Sequence, residues 1–534
     1  MRIAFIVLGV STLAAQVRYE DILKGPGVNW PTNAGGYSGQ RHSSLTQINT
    51  ANAGSIVPKW VYHVPKANGL RTTPIVYDGI MYVTNTNRLI ALDAKTGRPI
   101  WEYFDPRSKK EGVNRGAGLL GDKVFFVTAD VTLVALDRRT GALLWQTKYG
   151  DIEKGVIATL SPMVVKDKVL VGVAGGDTGI RGYLAAIDAH SGKEVWRLYT
   201  IPAKGEPGSE TWSDLLDWGG GGTWMSGTYD PELNLVYWPT GNAWPDFYGG
   251  NRKGDNLYTC SVLAIDPDTG KMKWYFQFTP HDVHDWDAQA WPVLVDLPFR
   301  GKPRKLMLYA NRNGFYYVLD RVTGEFLHGT KLVDKLDWAS GLDDKGRPIL
   351  VPGKEPTING SVSCPGVRGA TNWMAPSFNP ATGLFYVMTL EQCDVYSASI
   401  KEPEPMKGFS GGGAGRNPED PGRFVLRALE PTTGKRRWEF AMSGKVDAWP
   451  GTLSTAGNVI FSADDDGHMV AFDARNGKVL WHFQTGETIN TSPIAYSVDG
   501  KQYVSIASAT AIFTFGLFEP AQPMSPPVVK VVEK

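Results

Sequence analysis

The chain predicts an all-β fold, an eight-bladed β-propeller with tryptophan-docking repeats, closed by N- and C-terminal strands. Three observations carry this. A short segment recurs seven times, beginning at Ala91, Ala135, Ala186, Ala264, Val318, Ala428 and Ala471. Six copies carry a Trp four residues after a turn glycine: Trp101, Trp145, Trp196, Trp274, Trp438 and Trp481, with His328 in the fifth copy. A lone strand around Trp60, in KWVYHVP, has no hairpin ahead of it. Stacked repeats share one continuous core, so regularity of this kind sets the architecture first.

Each copy reads as a hairpin. An apolar strand ends at Asp93, Asp137, Asp188, Asp266, Asp320, Glu430 or Asp473, and the next residues supply a turn closed by glycine. Glycine takes the required positive φ without steric cost. The second strand then delivers the Trp, a large flat group suited to packing between neighbouring sheets. The Gly97–Gly141 and Gly434–Gly477 intervals are 44 and 43 residues, the length of a four-stranded blade. The wider Gly192–Gly270 and Gly324–Gly434 intervals, 78 and 110 residues, must hold insertions. The Trp60 strand is expected to complete the last blade by pairing with C-terminal strands near Tyr503–Phe515. That closure removes the free sheet edges of a linear array.

Composition agrees with one large domain spanning residues 16–518, with 61 Gly, 35 Pro and 18 Trp among 534 residues. The 55 basic and 54 acidic residues balance without long runs, which excludes the concentrated basic face that nucleic acid requires. Residues 1–15 carry Arg2 followed by an apolar run and small residues, the pattern of a signal peptide removed on export. No stretch elsewhere is apolar and long enough to span a bilayer. Residues 519–534, rich in Pro and Val, read as a loose tail.

The chain has three cysteines and no CxxCH, so it cannot attach c-type haem covalently. In an exported protein Cys364 and Cys393 could pair, leaving Cys260; three separate buried thiols is the alternative.

Chemistry concentrates where the repeat rhythm breaks. TPHDVHDWDAQAW, from Thr279, packs His281, Asp282, His284, Asp285 and Asp287 beside Trp286 and Trp291. Carboxylates at that density are costly to bury without a cation or hydrogen-bond partners. Asp285 and Asp287 could share a hard cation, which wants several oxygen ligands. DWGGGGTWMSG, from Asp217, sets Trp224 behind four glycines as a flat platform, and the strand LVYWPTGN is expected to end at Asn242. GVAGGDTGIRGY holds Asp177, ANRNGFYYVLDR holds Arg312, and GATNWMAPSFNP holds Asn372 and Trp373.

These repeats and patches, in this order, resemble the quinoprotein alcohol dehydrogenases, the PQQ-dependent methanol/ethanol dehydrogenase family, over nearly the whole chain. The resemblance implies PQQ and a metal, Ca2+ or a lanthanide ion, at Asp177, Asn242 and Asp285. It makes Asp285 also the general base and Arg312 the cation at the reactive carbonyl. It places Arg115, Thr159, Ala174, Gly175, Gly176, Trp224, Asn372 and Trp449, with Arg312, around the cofactor. It aligns Cys364 and Cys393 with a family disulfide. The implied reaction is oxidation of an alcohol by hydride transfer to PQQ, with the metal as Lewis acid. The implied setting is the periplasm, with a cytochrome c as electron acceptor.

Three departures bear on that reading. Lys109 and Lys110 stand where the family has two adjacent cysteines, Asp177 stands for the usual glutamate, and Asp287 sits where lanthanide-using members, and also membrane glucose dehydrogenases of the superfamily, have an Asp. A PQQ-dependent sugar or polyol dehydrogenase and a non-catalytic propeller scaffold of the outer-membrane assembly type are the alternatives.

Overall fold

The computed structural model describes residues 16–108, 112–399, 401, 404–406 and 411–520. The expected signal peptide, the Lys109–Lys110 departure and the expected tail beyond residue 520 lie outside the described residues. Among the described residues, eight sheets share one plan, a four-stranded antiparallel meander. In the first repeat the strands are Ile75–Tyr77, Ile80–Asn85, Arg88–Asp93 and Pro99–Phe104. The first strands of adjacent sheets contact one another, Gly118–Leu120 with Met163–Val165 and Thr228–Asp230 with Val293–Phe299. Gly118–Leu120, Met163–Val165 and Thr228–Asp230 are short and largely buried, as is the start of the longer Val293–Phe299, whereas fourth strands such as Pro99–Phe104 and Leu143–Lys148 alternate between exposed and half-buried residues. That gradient is the signature of a propeller: a dry inner wall and a half-wetted outer rim.

All seven sequence repeats form the expected hairpins, each with a bulge just before the turn, as between Ala91 and Leu92. The Asp builds the turn: Asp93 Oδ1 accepts bonds from the Lys95 and Thr96 backbone N–H groups at 3.1 and 2.8 Å. The Trp then stacks on the turn glycine of the following sheet. Trp60 covers Gly97 and donates its indole N–H to Ala94 O at 3.3 Å, and Trp101 covers Gly141 and donates to Arg138 O at 3.2 Å. In the fifth copy His328 instead contacts Thr433 O at 3.0 Å, and the carbonyl equivalent to Ala94 O, Pro431 O, is taken by the Tyr316 hydroxyl at 2.7 Å.

The glycine is thus needed twice. At Gly97 φ is +72°, and an added Cβ would lie 2.6 Å from the Trp60 ring. We expect Gly97→Ala to cost about 1–2 kcal/mol from the backbone conformation alone, with a further loss as the indole is displaced. Thermal unfolding checks this, and an unchanged Tm would refute it.

Closure is as predicted. Ile56–His63 pairs antiparallel with Ala511–Leu517, Trp60 opposite Thr514, and completes the sheet built from Ile494–Val498 and Lys501–Ala507. The lead-in is less idle than its composition suggests: Trp30 is fully buried and bridges to Val76, and His42–Ser43 adds a fifth, parallel strand to Leu453–Thr455. Cys364 and Cys393 form a disulfide, and Cys260 is free and buried. Among the described residues no helix is long and apolar enough to cross a membrane.

Candidate functional site

The meander decides where the chemistry goes. In an antiparallel sheet the segment entering the first strand and the loop joining the second to the third emerge at the same edge. Arg115, Thr159, Trp224, Asp287, Asn372 and Trp449 precede first strands, while Ala174–Asp177, Asn242 and Arg312 follow second strands. All therefore gather at one end of the ring. Many are only half-buried although their flanks are buried, as lining residues of a recess should be.

One end of the recess is acidic. Asp287 is buried; its Oδ2 accepts from Arg312 Nη1 at 2.8 Å and Trp224 Nε1 at 3.1 Å, and its Oδ1 from the Asn242 backbone N–H at 2.6 Å. Arg312 also reaches Asp285 Oδ2 at 3.5 Å and donates to Val367 O at 2.5 Å. Asp285 adopts φ +59°, uncommon for a residue with a side chain, which turns the chain sharply between the two carboxylates. Asn242 donates its amide to Asp246 Oδ1 at 2.7 Å, and this fixes the amide and leaves Oδ1 as an available acceptor. The expected strand over LVYWPTGN stops at Pro239, so Asn242 sits in the loop beyond it rather than at the strand end. Strand pairing there would have taken the backbone N–H that Asn242 instead gives to Asp287.

Asp177 lies on a tight turn, Gly176–Thr178, flanked by Gly175 at φ +111°. A Cβ at Gly175 would fall 2.3 Å from Gly155 O, so only glycine lets the turn pass this closely. Neighbouring Gly176 approaches Asn242 Oδ1. Of the backbone donors expected here, the Ala174 N–H is already engaged by Ile157 O at 2.8 Å. The Asp177 side chain is open to the recess, but protein surrounds it on nearly every side.

Electrostatically this end lacks positive charge. Burial raises Asp177 above the usual carboxylate range against the pull of Arg312; burial and then the neighbouring carboxylates raise Asp285 and push Asp287 up to about 6. Asp246 adds to the field at Asp285. Several carboxylates face one guanidinium, the condition that a bound cation relieves. Among the described residues no three His, Cys, Asp or Glu side chains converge tightly enough to hold an ion on their own. The Asn242 amide oxygen is the neutral donor that would complete the set, as hard cations commonly require.

The other end is flat and basic. The Arg115 guanidinium lies 4.8 Å from the Trp224 ring and 5.4 Å from the Trp373 ring, and donates to Thr159 O at 3.2 Å. Trp373 stacks on Trp449 at 6.2 Å, and Arg368 covers Trp449 at 4.0 Å. Asn372 ties this segment together by donating to Arg368 O at 3.0 Å and accepting from the Trp373 N–H at 2.9 Å. Buried Nε atoms of Arg115 and Arg312 have no partner. A planar anion with several acceptors suits such a floor, and PQQ is one: the residues fit both groups. Arg71, Arg368 and Asp246 went unnoticed in sequence. The signal for Arg71 was positional: like Thr159, Trp224, Trp373 and Trp449, it stands four residues before a first strand.

Comparison with known proteins agrees. The family description "PQQ: Glucose/ethanol/alcohol dehydrogenase, beta-propeller domain" matches residues 30–333 and 445–504. Quinoprotein alcohol dehydrogenase PedH of Pseudomonas putida is 37% identical over 530 residues, covering 92% of this chain and 88% of its own. The structure of quinohemoprotein alcohol dehydrogenase ADHIIG from Pseudomonas putida HK5 superposes with a TM-score of 0.88 at 34% identity, covering 96% of this chain and 84% of that one. A europium-containing methanol dehydrogenase superposes with a TM-score of 0.88 at 31% identity, over 93% of this chain and 100% of that chain. With its recess supplying an acidic end for a cation and an indole floor for a quinone, the chain belongs to the PQQ-dependent quinoprotein alcohol dehydrogenase family.

Proposed function

We propose that this protein is a periplasmic dehydrogenase that oxidises an alcohol to an aldehyde or ketone, using PQQ and one metal ion held within a ring of eight blades. The observation that carries this is the polarity of the recess, with several carboxylates sharing one guanidinium at one end and, at the other, guanidinium groups over indoles that keep buried N–H groups without partners. A scaffold propeller has no use for either. Electrons are proposed to leave to a periplasmic cytochrome c, since the chain has no haem-attachment motif.

When bound, PQQ supplies the two-electron acceptor and the metal a Lewis acid. Asp177, Asn242 Oδ1 and Asp285 are the proposed metal ligands, and Asp287 offers the remaining acceptor capacity of Oδ1. Trp224 is the floor, locked in place through its N–H to Asp287. Thr159, Ala174, Gly175, Gly176, Asn372 and Trp449 line the rim. Asp285 Oδ1, the oxygen not shared with Arg312, receives the hydroxyl proton of the alcohol. Asp285 must be ionised to accept that proton, and a bound cation would hold it so against the burial that otherwise favours its neutral form. Arg312 is held between Asp285 and Asp287, and so presents a fixed positive charge to oxygen atoms that gain negative charge.

The test is a PQQ titration of chelator-stripped protein with calcium and then a light lanthanide, followed by absorbance. Stoichiometric, metal-dependent uptake is expected; none with either ion, in folded protein, would overturn the proposal. Turnover of simple alcohols over sugars in the loaded protein separates the alcohol reading from the sugar one.

Two further outcomes follow from the carboxylates. Metal binding requires them deprotonated, and Asp287 is pushed up to about 6. Metal affinity should therefore rise with pH through that region and fall on acidification from pH 7 to 5, measured by isothermal titration. Asp287→Ala removes one full negative charge beside the site, and Coulomb attraction scales with ionic charge. It should weaken a trivalent ion by at least about tenfold and calcium by less. Equal losses for the two ions would remove Asp287 from the selectivity.

A further inference from the structure

Arg71 has no place in the reaction described above, yet it is chemically out of balance. It enters the inner strand Ile75–Tyr77 from the side of the recess, and its guanidinium lies 5.8 Å from the Trp373 ring. Arg115 lies 5.4 Å from that same ring. Neither guanidinium has a carboxylate partner among the described residues, and the buried Nη1 of Arg71 and Nε of Arg115 have no hydrogen-bond partner. The two segments are laced together: the Thr73 N–H donates to Arg115 O at 3.1 Å, and Asn33 Nδ2 donates to the same carbonyl at 2.8 Å. The fold therefore holds two cations over one indole, where burial opposes both charges and Arg71 adds repulsion at Arg115. Such an arrangement is costly in the empty protein and becomes favourable when an anion arrives. A carboxylate matches it, since each guanidinium offers a planar fork of donors.

We propose that Arg71 and Arg115 form a two-guanidinium clamp for a carboxylate, and that the carboxylate is one of those on the bound quinone cofactor. The assignment rests on the proposed PQQ site. The clamp anchors the end of the cofactor away from the Asp285–Asp287 carboxylates, so that recess and cofactor are matched in charge along their length. A hydroxy-acid substrate is the other possible source of a carboxylate.

The test is PQQ affinity, read by quenching of intrinsic fluorescence in calcium-loaded protein, for wild type, Arg71→Gln, Arg71→Lys and Arg71→Glu. Arg71→Gln should bind about tenfold to a hundredfold more weakly, as expected for a lost charge-assisted bond. Arg71→Lys should fall between, and Arg71→Glu should bind weakest because it neutralises Arg115. Added salt should weaken wild type more than Arg71→Gln. The cofactor-free Arg71→Gln protein should melt no lower than wild type, since the Arg71 side chain makes no hydrogen bond among the described residues that folding would lose; a lower Tm would mark a structural role and overturn the clamp. Unchanged PQQ affinity in Arg71→Gln would overturn it too, and with a raised KM for a hydroxy acid but not for a neutral alcohol would move the carboxylate to the substrate. If wild type takes up no PQQ at all, the functional proposal fails before this one is reached.

Discussion

Asp285→Asn is expected to lower kcat by about a thousandfold, within the range that a positioned general base contributes, while PQQ uptake in excess metal persists. The variant keeps the shape of the side chain and an oxygen acceptor for Arg312, but it cannot take a proton. Asp287 remains to hold Arg312 at 2.8 Å and Trp224 at 3.1 Å, so the floor of the recess is retained. Single-turnover kinetics in PQQ-loaded protein separates the two functions of the residue. Turnover near the wild-type rate would take the base elsewhere. Loss of PQQ uptake even at high metal concentration would instead make Asp285 mainly a structural ligand.

The second large effect is on stability and lies away from the recess. Arg427 is wholly buried; it bonds Glu391 Oε1 at 2.5 Å and Leu332 O at 2.7 Å, and Glu391 in turn accepts from the backbone N–H groups of Asp334 and Lys335. Arg427→Met strands that carboxylate in the interior and should cost about 3–5 kcal/mol, measured by denaturant unfolding. Adding Glu391→Gln removes the stranded charge while keeping an acceptor for the backbone, and should recover much of the loss. No recovery would mean that lost packing of the Arg427 stem dominates. Activity per folded molecule should not change, because neither residue reaches the recess.

The fold was legible because its signals are local. Asp93, Gly97 and Trp101 sit within a few residues of one another, and each does its work on the adjacent turn or sheet, so seven copies declare seven hairpins. The unpaired strand at Trp60 was legible for the opposite reason, as a hairpin half without its partner. The acidic end of the site was also readable, since Asp285 and Asp287 are close in sequence and Arg312 follows a repeat strand. What stayed hidden was charge balance. Arg71 is one arginine among many until Arg115 and Trp373 are brought against it. Asp246 gains its meaning only in the folded chain, where it fixes the Asn242 amide and adds to the field at Asp285. The stop at Pro239 escaped notice because LVYWPTGN continues a strand pattern, and the competing bond to Asp287 comes from a distant loop.

The pairing of Ile56 with Leu517 and His63 with Ala511 has a consequence for how the protein is made. The Ile56–His63 strand, synthesised early, must wait without its partner until nearly the whole chain has been made. Until then there is no ring, and the recess, assembled from loops of many sheets, does not yet exist. Cofactor and metal can therefore engage only a closed ring, and loss of either Ile56–His63 or Ala511–Leu517 would cost the site although every residue in it remained.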